Sequence, residues 1–302
     1  MSGSKMKHAF LITAYKDPNH LTKLVRALSA DNTFIFIHID YKTRLDFIDF
    51  ISSSNAPNIF IVDKPISVNW GGASHLKSIN MLVRQAIASC DAERLHLISG
   101  SDYLIKPLKD LDSFFEQHSQ SEFIEYSKLP YRNWHGLNEN GGYNRLQSFH
   151  LNDIITPRTK LFKILSIVSL TIQKLPILKR RLPAEFLPLY GGSTWWSVTR
   201  GAAELYLKVI DRNAQSISHT FCSEEVCMHS IIMNSEYSSN VVNTNLRYIE
   251  WNSKERGLPA TLDIQDYDKL RSSGLLFGRK FESPISDEIR ERIDQDLNST
   301  TI

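Results

Sequence analysis

The sequence predicts an α/β fold, in which a mostly parallel sheet is covered by helices on both faces. Strand patterns alternate with helical patterns through about the first hundred residues, as they do in chains built from βαβ units. The composition of the 302 residues, 42% hydrophobic and 23% charged, is that of an ordinary globular protein. Because no repeat, low-complexity tract or linker divides the chain, a single domain over residues 1–302 is expected.

The elements of the first half follow from the periodicity of their apolar residues. Continuous apolar and β-branched runs predict buried strands at residues 9–13, 33–40, 58–62 and 95–98. Helical spacing predicts one helix after Asp17 and Pro18 and another over residues 74–88. Ligands bind at the carboxyl ends of the strands in such sheets, and Asp40 and Asp102 both stand at such ends.

The second half begins with a polar, aromatic stretch, residues 130–155, which we expect to be a long functional loop with short elements. Helices are predicted at residues 200–209, 223–233, 266–273 and 286–297, and strand signals at residues 241–251. Ser223 is expected to cap the second of these helices, with Glu224 and Glu225 in its first turn, where the helix dipole favours a carboxylate.

Residues 158–182 form a basic, amphipathic stretch in which Lys and Arg alternate with Leu, Ile, Val and Phe. Its basic residues are Arg158, Lys160, Lys163, Lys174, Lys179, Arg180 and Arg181. Two interpretations are open. The stretch is a surface helix that packs its apolar stripe on the sheet, or it contacts an anionic membrane surface near a lipid-linked substrate.

Charge, cysteine usage and hydropathy exclude several classes of protein. The formal net charge is only +2, from 35 Lys and Arg against 33 Asp and Glu, so no charge excess indicates a nucleic-acid partner. The three scattered cysteines indicate reduced thiols and not a secreted disulfide framework. No targeting segment and no apolar run of about 20 residues is evident. We therefore expect a cytoplasmic protein, peripheral at most on the cytoplasmic face of a membrane.

The motifs of several chemistries are missing. Histidines and cysteines lack metal-ligand spacing, no Gly-rich phosphate loop follows the first strand, and Gly100-Ser101 lacks the flanks of a nucleophile elbow. Asp-x-Asp tripeptides, which hold a donor diphosphate through a metal in many nucleotide-sugar transferases, begin at Asp110, Asp266 and Asp294, where helix capping explains them. After the central strand the sequence is instead Ser99-Gly-Ser-Asp102. A transferase with this sequence would neutralise the diphosphate with Lys or Arg.

Seven segments in a fixed order resemble the core-2/I-branching enzyme family, which includes β-1,6-N-acetylglucosaminyltransferases and peptide O-xylosyltransferases. They are Leu11-Ile-Thr-Ala-Tyr-Lys-Asp-Pro18, Ile37-His-Ile-Asp-Tyr-Lys42, Val68-Asn-Trp-Gly-Gly-Ala-Ser74, Leu97-Ile-Ser-Gly-Ser-Asp-Tyr103, Tyr190-Gly-Gly-Ser-Thr-Trp-Trp196, Ser223-Glu-Glu225 and Leu276-Phe-Gly-Arg-Lys-Phe281. Each segment alone is weak, but their joint order and spacing are specific. The resemblance implies a GT-A-type, Rossmann-like fold, an inverting mechanism and no metal requirement.

The resemblance also implies catalytic and donor-binding roles. Glu225, or else its neighbour Glu224, matches the catalytic base, which deprotonates the acceptor hydroxyl as that oxygen attacks the anomeric carbon. Lys280 matches the basic residue that holds the diphosphate. An arginine about two dozen residues earlier assists it; Arg256 is the nearest match, and Arg279 is a neighbour able to share that role.

Further donor contacts follow from the ends of the first two strands. Asp40 matches the aspartate that contacts the nucleoside, with an ordinary strand-end cap as the alternative. Thr13, Ala14, Tyr15 and Lys16 would border the base, on which Tyr15 can stack. The substrate-binding predictions are Trp70, Asp102, Glu125, Arg145, Trp195 and Trp251. For Trp195 and its neighbour Trp196, plain core packing is an equal alternative.

Together these observations predict an inverting, metal-independent transferase without a cofactor. It would move a sugar, first of all GlcNAc, from a UDP-sugar to an oligosaccharide or lipid-linked glycan in bacterial surface polysaccharide synthesis. Residues 8–130 would bind the nucleotide sugar, residues 131–285 would bind the acceptor and carry the base, and residues 286–302 would form a terminal helix. The alternatives are a donor such as UDP-xylose or another UDP-hexose, a catalytically inactive carbohydrate-binding relative, and a metal-dependent enzyme that uses Asp266-Tyr-Asp268.

Overall fold

The computed structural model describes residues 5–54, 56–132, 134, 140–155, 157, 159–253 and 256–299. Their strands are β1 (His8–Ala14), β2 (Thr33–Ile39), β3 (Ile59–Ile61), β4 (Arg94–Ser99), β5 (Asp102–Leu104), β6 (Glu122–Lys128), β7 (Tyr190–Thr199), β8 (Val241–Val242), β9 (Arg247–Ile249) and β10 (Phe277–Arg279). Seven of them form one sheet in the order β3-β2-β1-β4-β7-β6-β8. The other three form a small sheet in the order β5-β10-β9.

The large sheet is mostly parallel, as predicted. Strands β3, β2, β1 and β4 pair in parallel, and β6 pairs in parallel with β8. Strand β7 comes later in the chain and pairs antiparallel with both β4 and β6. The strand from the second half of the chain therefore lies inside the sheet that the first half begins, so the two predicted halves share one sheet.

The α-helices of the described residues include those that flank this sheet. They are α1 (Pro18–Leu28), α2 (Ile48–Ser53), α3 (Ala73–Ser89), α4 (Leu108–Gln117), α5 (Tyr143–Gln147), α6 (Lys160–Ile172), α7 (Arg200–Arg212), α8 (Cys227–Met233), α9 (Tyr267–Ser272) and α10 (Asp287–Ser299). Because side chains alternate along a strand, β1 contributes Ala9 and Leu11 to one apolar cluster, with α3, α7 and α8. Its residues Phe10 and Ile12 join a second cluster, with α1, α4 and α10. The predicted α/β fold with a helix-covered sheet is confirmed.

The small sheet positions part of the site. Strand β10 pairs antiparallel with β5, which places Arg279 opposite Asp102, and it pairs in parallel with β9. Asp102 follows the end of β4 by only three residues. The small sheet therefore brings the C-terminal segment that contains Arg279 and Lys280 to the carboxyl edge of the large sheet.

The helix predicted over residues 223–233 begins differently. Residues Ser223–Glu225 form a separate 3-10 turn that Val226, with φ −129°, interrupts before α8 begins. The buried hydroxyl of Ser223 has no hydrogen-bond partner among the described residues, so the prediction that Ser223 caps the helix is wrong. Glu225 consequently precedes α8 and does not lie in its first turn.

The basic stretch at residues 158–182 contains α6, while Arg158 itself lies outside the described residues. Leu170 is the one buried residue of α6, and most of its other apolar side chains are exposed. The interpretation that this helix packs its apolar stripe on the sheet is therefore wrong. Among the described residues, no helix combines the length and hydrophobicity that crossing a bilayer would need.

Candidate active site

The ends of three neighbouring strands are tied together at the carboxyl edge of the sheet. The Gly100 amide donates to the Thr13 carbonyl, and the Asp40 amide donates to the Ala14 carbonyl, each at 2.8 Å. Tyr15, the next residue, leaves the sheet with 57% of its side chain surface exposed. Thr13 and Ala14 thus fix the edge through their backbone, whereas Tyr15 presents a ring on which a planar base can stack.

Asp40 is buried at this edge and is already bonded within the chain. Its Oδ1 accepts the amides of Lys42 at 3.0 Å and Val68 at 3.3 Å. The Lys42 ammonium lies 3.6 Å from the other carboxylate oxygen, Oδ2. Asp40 therefore fills the alternative role of a strand-end cap through one oxygen, while its other oxygen faces Lys42.

Two lysines meet on one carboxylate beside this edge. Lys280 contacts Glu282 Oε1 at 2.6 Å, and the Lys16 ammonium bonds to the same oxygen. Burial raises and the two ammonium groups lower the pKa of Glu282, with a net downward shift. Lys16 was predicted only to border the base with residues 13–15, and not to share a carboxylate with Lys280. Its position next to Tyr15, inside the first of the resembling segments, is the signal that pointed to it.

Arg279 stacks on an aromatic ring at the carboxyl edge of the sheet. Its guanidinium bonds to the Ser99 hydroxyl, lies 3.2 Å from Asp102 Oδ2 and stacks 4.5 Å above the ring of Trp195. Trp195 is only 8% exposed and Trp196 only 1%, so both rings are largely core, the alternative that the sequence left open. We name the three cations Arg279, Lys280 and Lys16, together with Glu282, the carboxylate that the two lysines share, the cation cluster.

Asp102 has no exposed surface, and its contact with any substrate would run through Arg279. It accepts the Ser99 amide at 2.5 Å and the Ser99 hydroxyl at 2.6 Å. The fully buried Arg247 lies 3.7 Å from its other oxygen and also donates to the Leu97 carbonyl. Burial lowers the pKa of Arg247 to about 10, and the Asp102 carboxylate opposes that shift.

Arg256 is tied to the segment that follows it. Its guanidinium lies 2.6 Å from Asp266 Oδ2 and 3.0 Å from Asp263 Oδ2. Asp266 is 1% exposed and also completes a capping box with Asp263. The Asp-x-Asp tripeptide at this position thus has its first carboxylate bonded to Arg256. Within the described part of the chain, no group of three or more His, Cys, Asp and Glu side chains is placed to hold a metal ion.

Glu225 forms the second charged centre of the edge. Its carboxylate is 31% exposed and lies 2.5 Å from Nη1 of Arg145, which is almost fully buried. The guanidinium of Arg145 in turn stacks 3.4 Å from the ring centroid of Trp134. Arg145 was predicted to contact the acceptor, and in the structure it pairs with the candidate base. The arrangement fixes one orientation of a carboxylate that remains open to solvent.

Glu224, the alternative base, is buried and points elsewhere. It is 7% exposed and pairs at 3.0 Å with Nδ1 of His75, a residue of the first turn of α3. Burial lowers and the Glu224 carboxylate raises the pKa of His75, with a net upward shift to which Glu225 also contributes. Arg279 opposes that shift, so His75 is within electrostatic range of both charged centres. His75 was not predicted, because nothing in its local sequence indicates a partner 149 residues away.

The remaining predicted substrate contacts are two exposed tryptophans and a glutamate. Trp70 is 68% exposed and Trp251 58% exposed, so both rings are available to a sugar face. Glu125 is an exposed residue at an irregularity within the β6–β7 pairing, between Ile124 and Tyr126, and its carboxylate accepts from Asn245 at 2.5 Å. The same Asn245 amide contacts the Ser193 hydroxyl at 3.2 Å.

Fold and site together define an α/β protein with a carboxylate–arginine pair and a cation cluster at the carboxyl edge of its sheet. The sequence model of the family described as Core-2/I-Branching enzyme matches residues 8–271. The chain therefore belongs to the core-2/I-branching enzyme family.

Several xylosyltransferases are similar to almost the whole chain. Xylosyltransferase sqv-6 of Caenorhabditis briggsae is 23% identical over 95% of this chain and 36% of its own length. Xylosyltransferase 1 of Homo sapiens is 22% identical over 97% of this chain and 31% of its own. The chain thus spans about a third of the length of these relatives. Among solved structures, S. aureus TarS 1-349 in complex with UDP-GlcNAc aligns with 39% of this chain and 34% of its own, at a TM-score of 0.32 and 18% identity.

The pair of Glu224 and His75 predicts a stability effect that depends on pH. The folded-state pKa of His75 is raised above its ordinary value of about 6.5. The charged pair therefore stabilises the fold fully below about pH 6.5, and this contribution is lost as the pH rises through the raised pKa of His75. His75→Phe should lower the free energy of unfolding by about 2 kcal/mol near pH 6, because Glu224 loses its partner, and by less near pH 9. Urea unfolding at the two pH values measures both costs.

The double variant His75→Phe/Glu224→Gln is the control, since it leaves no buried carboxylate without a partner. It should recover part of the stability that His75→Phe loses. A cost of His75→Phe that grows between pH 6 and pH 9 would contradict the ion pair.

Proposed function

We propose that this protein is an inverting glycosyltransferase that moves a sugar from a UDP-sugar to a hydroxyl of a glycan. The observation that carries the proposal is the half-open carboxylate of Glu225, fixed by Arg145, at the same edge as the cation cluster. A general base and a cationic site for a leaving diphosphate are the two parts that a single displacement needs. Membership of the core-2/I-branching enzyme family supports the same reaction class.

In the proposed reaction, Glu225 accepts the proton of the acceptor hydroxyl while that oxygen forms a bond to the anomeric carbon. The bond between this carbon and the diphosphate oxygen breaks on the opposite side, and UDP leaves with both electrons of that bond. Lys280 and Arg279 stabilise the negative charge that develops on the diphosphate, with Lys16 beside them. Arg145 is a positioning residue, because it orients Glu225 from a buried site beneath Trp134.

Metal independence belongs to this proposal and is supported by the positive charge at the edge. Lys16, Lys280 and Arg279 supply cations where other enzymes place a divalent ion. The competing metal hypothesis required Asp266, whose carboxylate is bonded to Arg256. We propose that Asp40 and Tyr15 bind the donor nucleoside. One oxygen of Asp40 already accepts a backbone amide, and the exposed ring of Tyr15 would stack on the base.

The sugar and the acceptor are the finer part of the proposal. We propose UDP-GlcNAc as the first donor to test and UDP-xylose as its competitor, which the similarity to named xylosyltransferases favours. Trp70, Trp251 and Glu125 are proposed to contact the acceptor, a glycan of bacterial surface polysaccharide synthesis on the cytoplasmic side of a membrane. Cys90, Cys222 and Cys227 are all thiols, which is the state that a reducing compartment maintains.

The first test separates the two glutamates. Glu225→Gln should lower the rate of UDP release with donor and acceptor by about 10²–10⁴-fold, because an amide cannot accept the proton. Glu224→Gln should retain most of the activity, since Glu224 faces His75 and not the open edge. EDTA should leave the wild-type rate unchanged.

The mechanism is contradicted by full activity of Glu225→Gln or by complete loss of wild-type activity with EDTA. A panel of UDP-sugars in the same assay identifies the donor. Loss of activity in Glu224→Gln alone would transfer the role of base to that residue.

The second test asks which cations hold the diphosphate. Calorimetry with UDP should show that Lys280→Ala weakens binding by about tenfold or more, because a charge-assisted contact is lost. Arg256→Ala should weaken it far less, since Arg256 is already bonded by two carboxylates, whereas Lys280 shares the single carboxylate of Glu282 with Lys16. Lys269→Ala, at a side chain 68% exposed on α9, is the control for loss of one positive charge.

Equal UDP affinity in wild type and Lys280→Ala would remove Lys280 from the donor site. Absence of UDP binding in the wild-type protein would favour the inactive carbohydrate-binding alternative.

A further inference from the structure

We propose that α6 and the residues after it form a docking surface for an anionic lipid bilayer. The α6 surface consists of residues 160–179, in which apolar and basic side chains face solvent together. The proposal rests on the proposed function in one respect: a membrane-bound protein of this kind would meet a lipid-linked acceptor at the surface on which it is docked.

The first observation is that α6 leaves its apolar side chains uncovered. Leu161, Ile164, Ile167, Val168 and Ile172 are each between 50% and 60% exposed. Beyond the helix, Leu175, Ile177 and Leu178 continue the surface at 57%, 89% and 46% exposed. Helix α7 has the same length of 13 residues and buries six of them, whereas α6 buries one. A helix this apolar and this exposed requires a partner.

The second observation is the charge that accompanies these side chains. Lys160, Lys163 and Lys174 are exposed on the same stretch, and Lys179 is partly exposed. The sequence contains no Asp or Glu between Asp153 and Glu185. Exposed apolar residues combined with charge of one sign match an anionic bilayer, which takes up apolar side chains at the acyl boundary and attracts the lysines to its headgroups.

The charge also argues against a second copy of this chain as the partner. A symmetric dimer through the α6 surface would set the lysines of one copy against those of the other, and like charges repel. A bilayer of anionic lipids instead offers negative charge at every contact. We therefore assign the surface to lipid.

The α6 surface is hydrogen-bonded to α5 and the residues that follow it, and α5 contains the arginine that pairs with the candidate base. The Gln173 side chain accepts the Phe149 amide at 2.6 Å and donates to the Phe149 carbonyl at 3.0 Å. The Arg180 amide donates to the Gln147 carbonyl at 3.0 Å. Gln147 is the last residue of α5, which contains Arg145, the partner of Glu225. Docking through α6 would consequently bring the acceptor side of the edge close to the membrane.

Sedimentation of the full chain with vesicles tests the proposal. Wild type should sediment with vesicles of phosphatidylglycerol and phosphatidylcholine in equal parts and remain in solution with phosphatidylcholine alone. Ile164→Ser/Ile167→Ser should weaken sedimentation by about tenfold or more through lost insertion. Lys160→Gln/Lys163→Gln should weaken it and reduce its dependence on salt.

Matched controls use exposed residues of the same kind elsewhere in the chain. Leu45→Ser, at a side chain 82% exposed, and Lys269→Gln, at one 68% exposed, should sediment as wild type does. Calorimetry with UDP on every variant shows whether the fold and the donor site remain intact. If wild type binds vesicles but not UDP, the proposed function fails while the docking surface stands.

Three results would overturn the proposal. The first is that wild type stays in solution with the anionic vesicles. The second is that it sediments equally with both kinds of vesicle and Ile164→Ser/Ile167→Ser sediments as strongly as wild type. The third is that wild type forms a dimer in solution that the serine variant loses, because the α6 surface would then join two copies of the chain.

Discussion

The carboxylate of Asp102 is the interaction on which the edge of the sheet depends. It is completely buried and carries Arg279 on one oxygen and Arg247 near the other. A buried carboxylate without such partners would cost several kcal/mol, so the three charges can only be retained as a unit. Arg247 and Arg279 belong to β9 and β10, and Ser99 and Leu97 of β4 complete the network. The same bonds join the small sheet to the large one and set Arg279 on Trp195, beside Lys280.

The other charges of the edge are also paired, and the two adjacent glutamates differ in their partners and in their exposure. Glu224 is buried and pairs with His75, whereas Glu225 is half-open and pairs with Arg145. Only the second is placed to exchange a proton with a molecule outside the protein. The division follows from the 3-10 turn, because neighbouring residues on such a turn point about a third of a turn apart.

Local sequence patterns predicted the strands and helices well and the ion pairs between distant side chains poorly. The strand at residues 33–40 and the helix at residues 74–88 were predicted to within a residue or so, because apolar periodicity is a local property. The pairs Arg145–Glu225 and Lys16–Glu282 join residues 80 and 266 positions apart, which no local pattern reveals. The amphipathic stretch around α6 showed its apolar stripe in the sequence, but periodicity cannot say whether that stripe meets the sheet, which it does not.

The central claim is a single displacement in which Glu225 deprotonates the acceptor while the diphosphate leaves toward the cation cluster. The anomeric configuration of the product measures this most directly. With a UDP-sugar whose anomeric bond is α, nuclear magnetic resonance of the first product formed should show a β linkage, because attack comes from the side opposite the leaving group. A product that retains the α configuration would contradict the account.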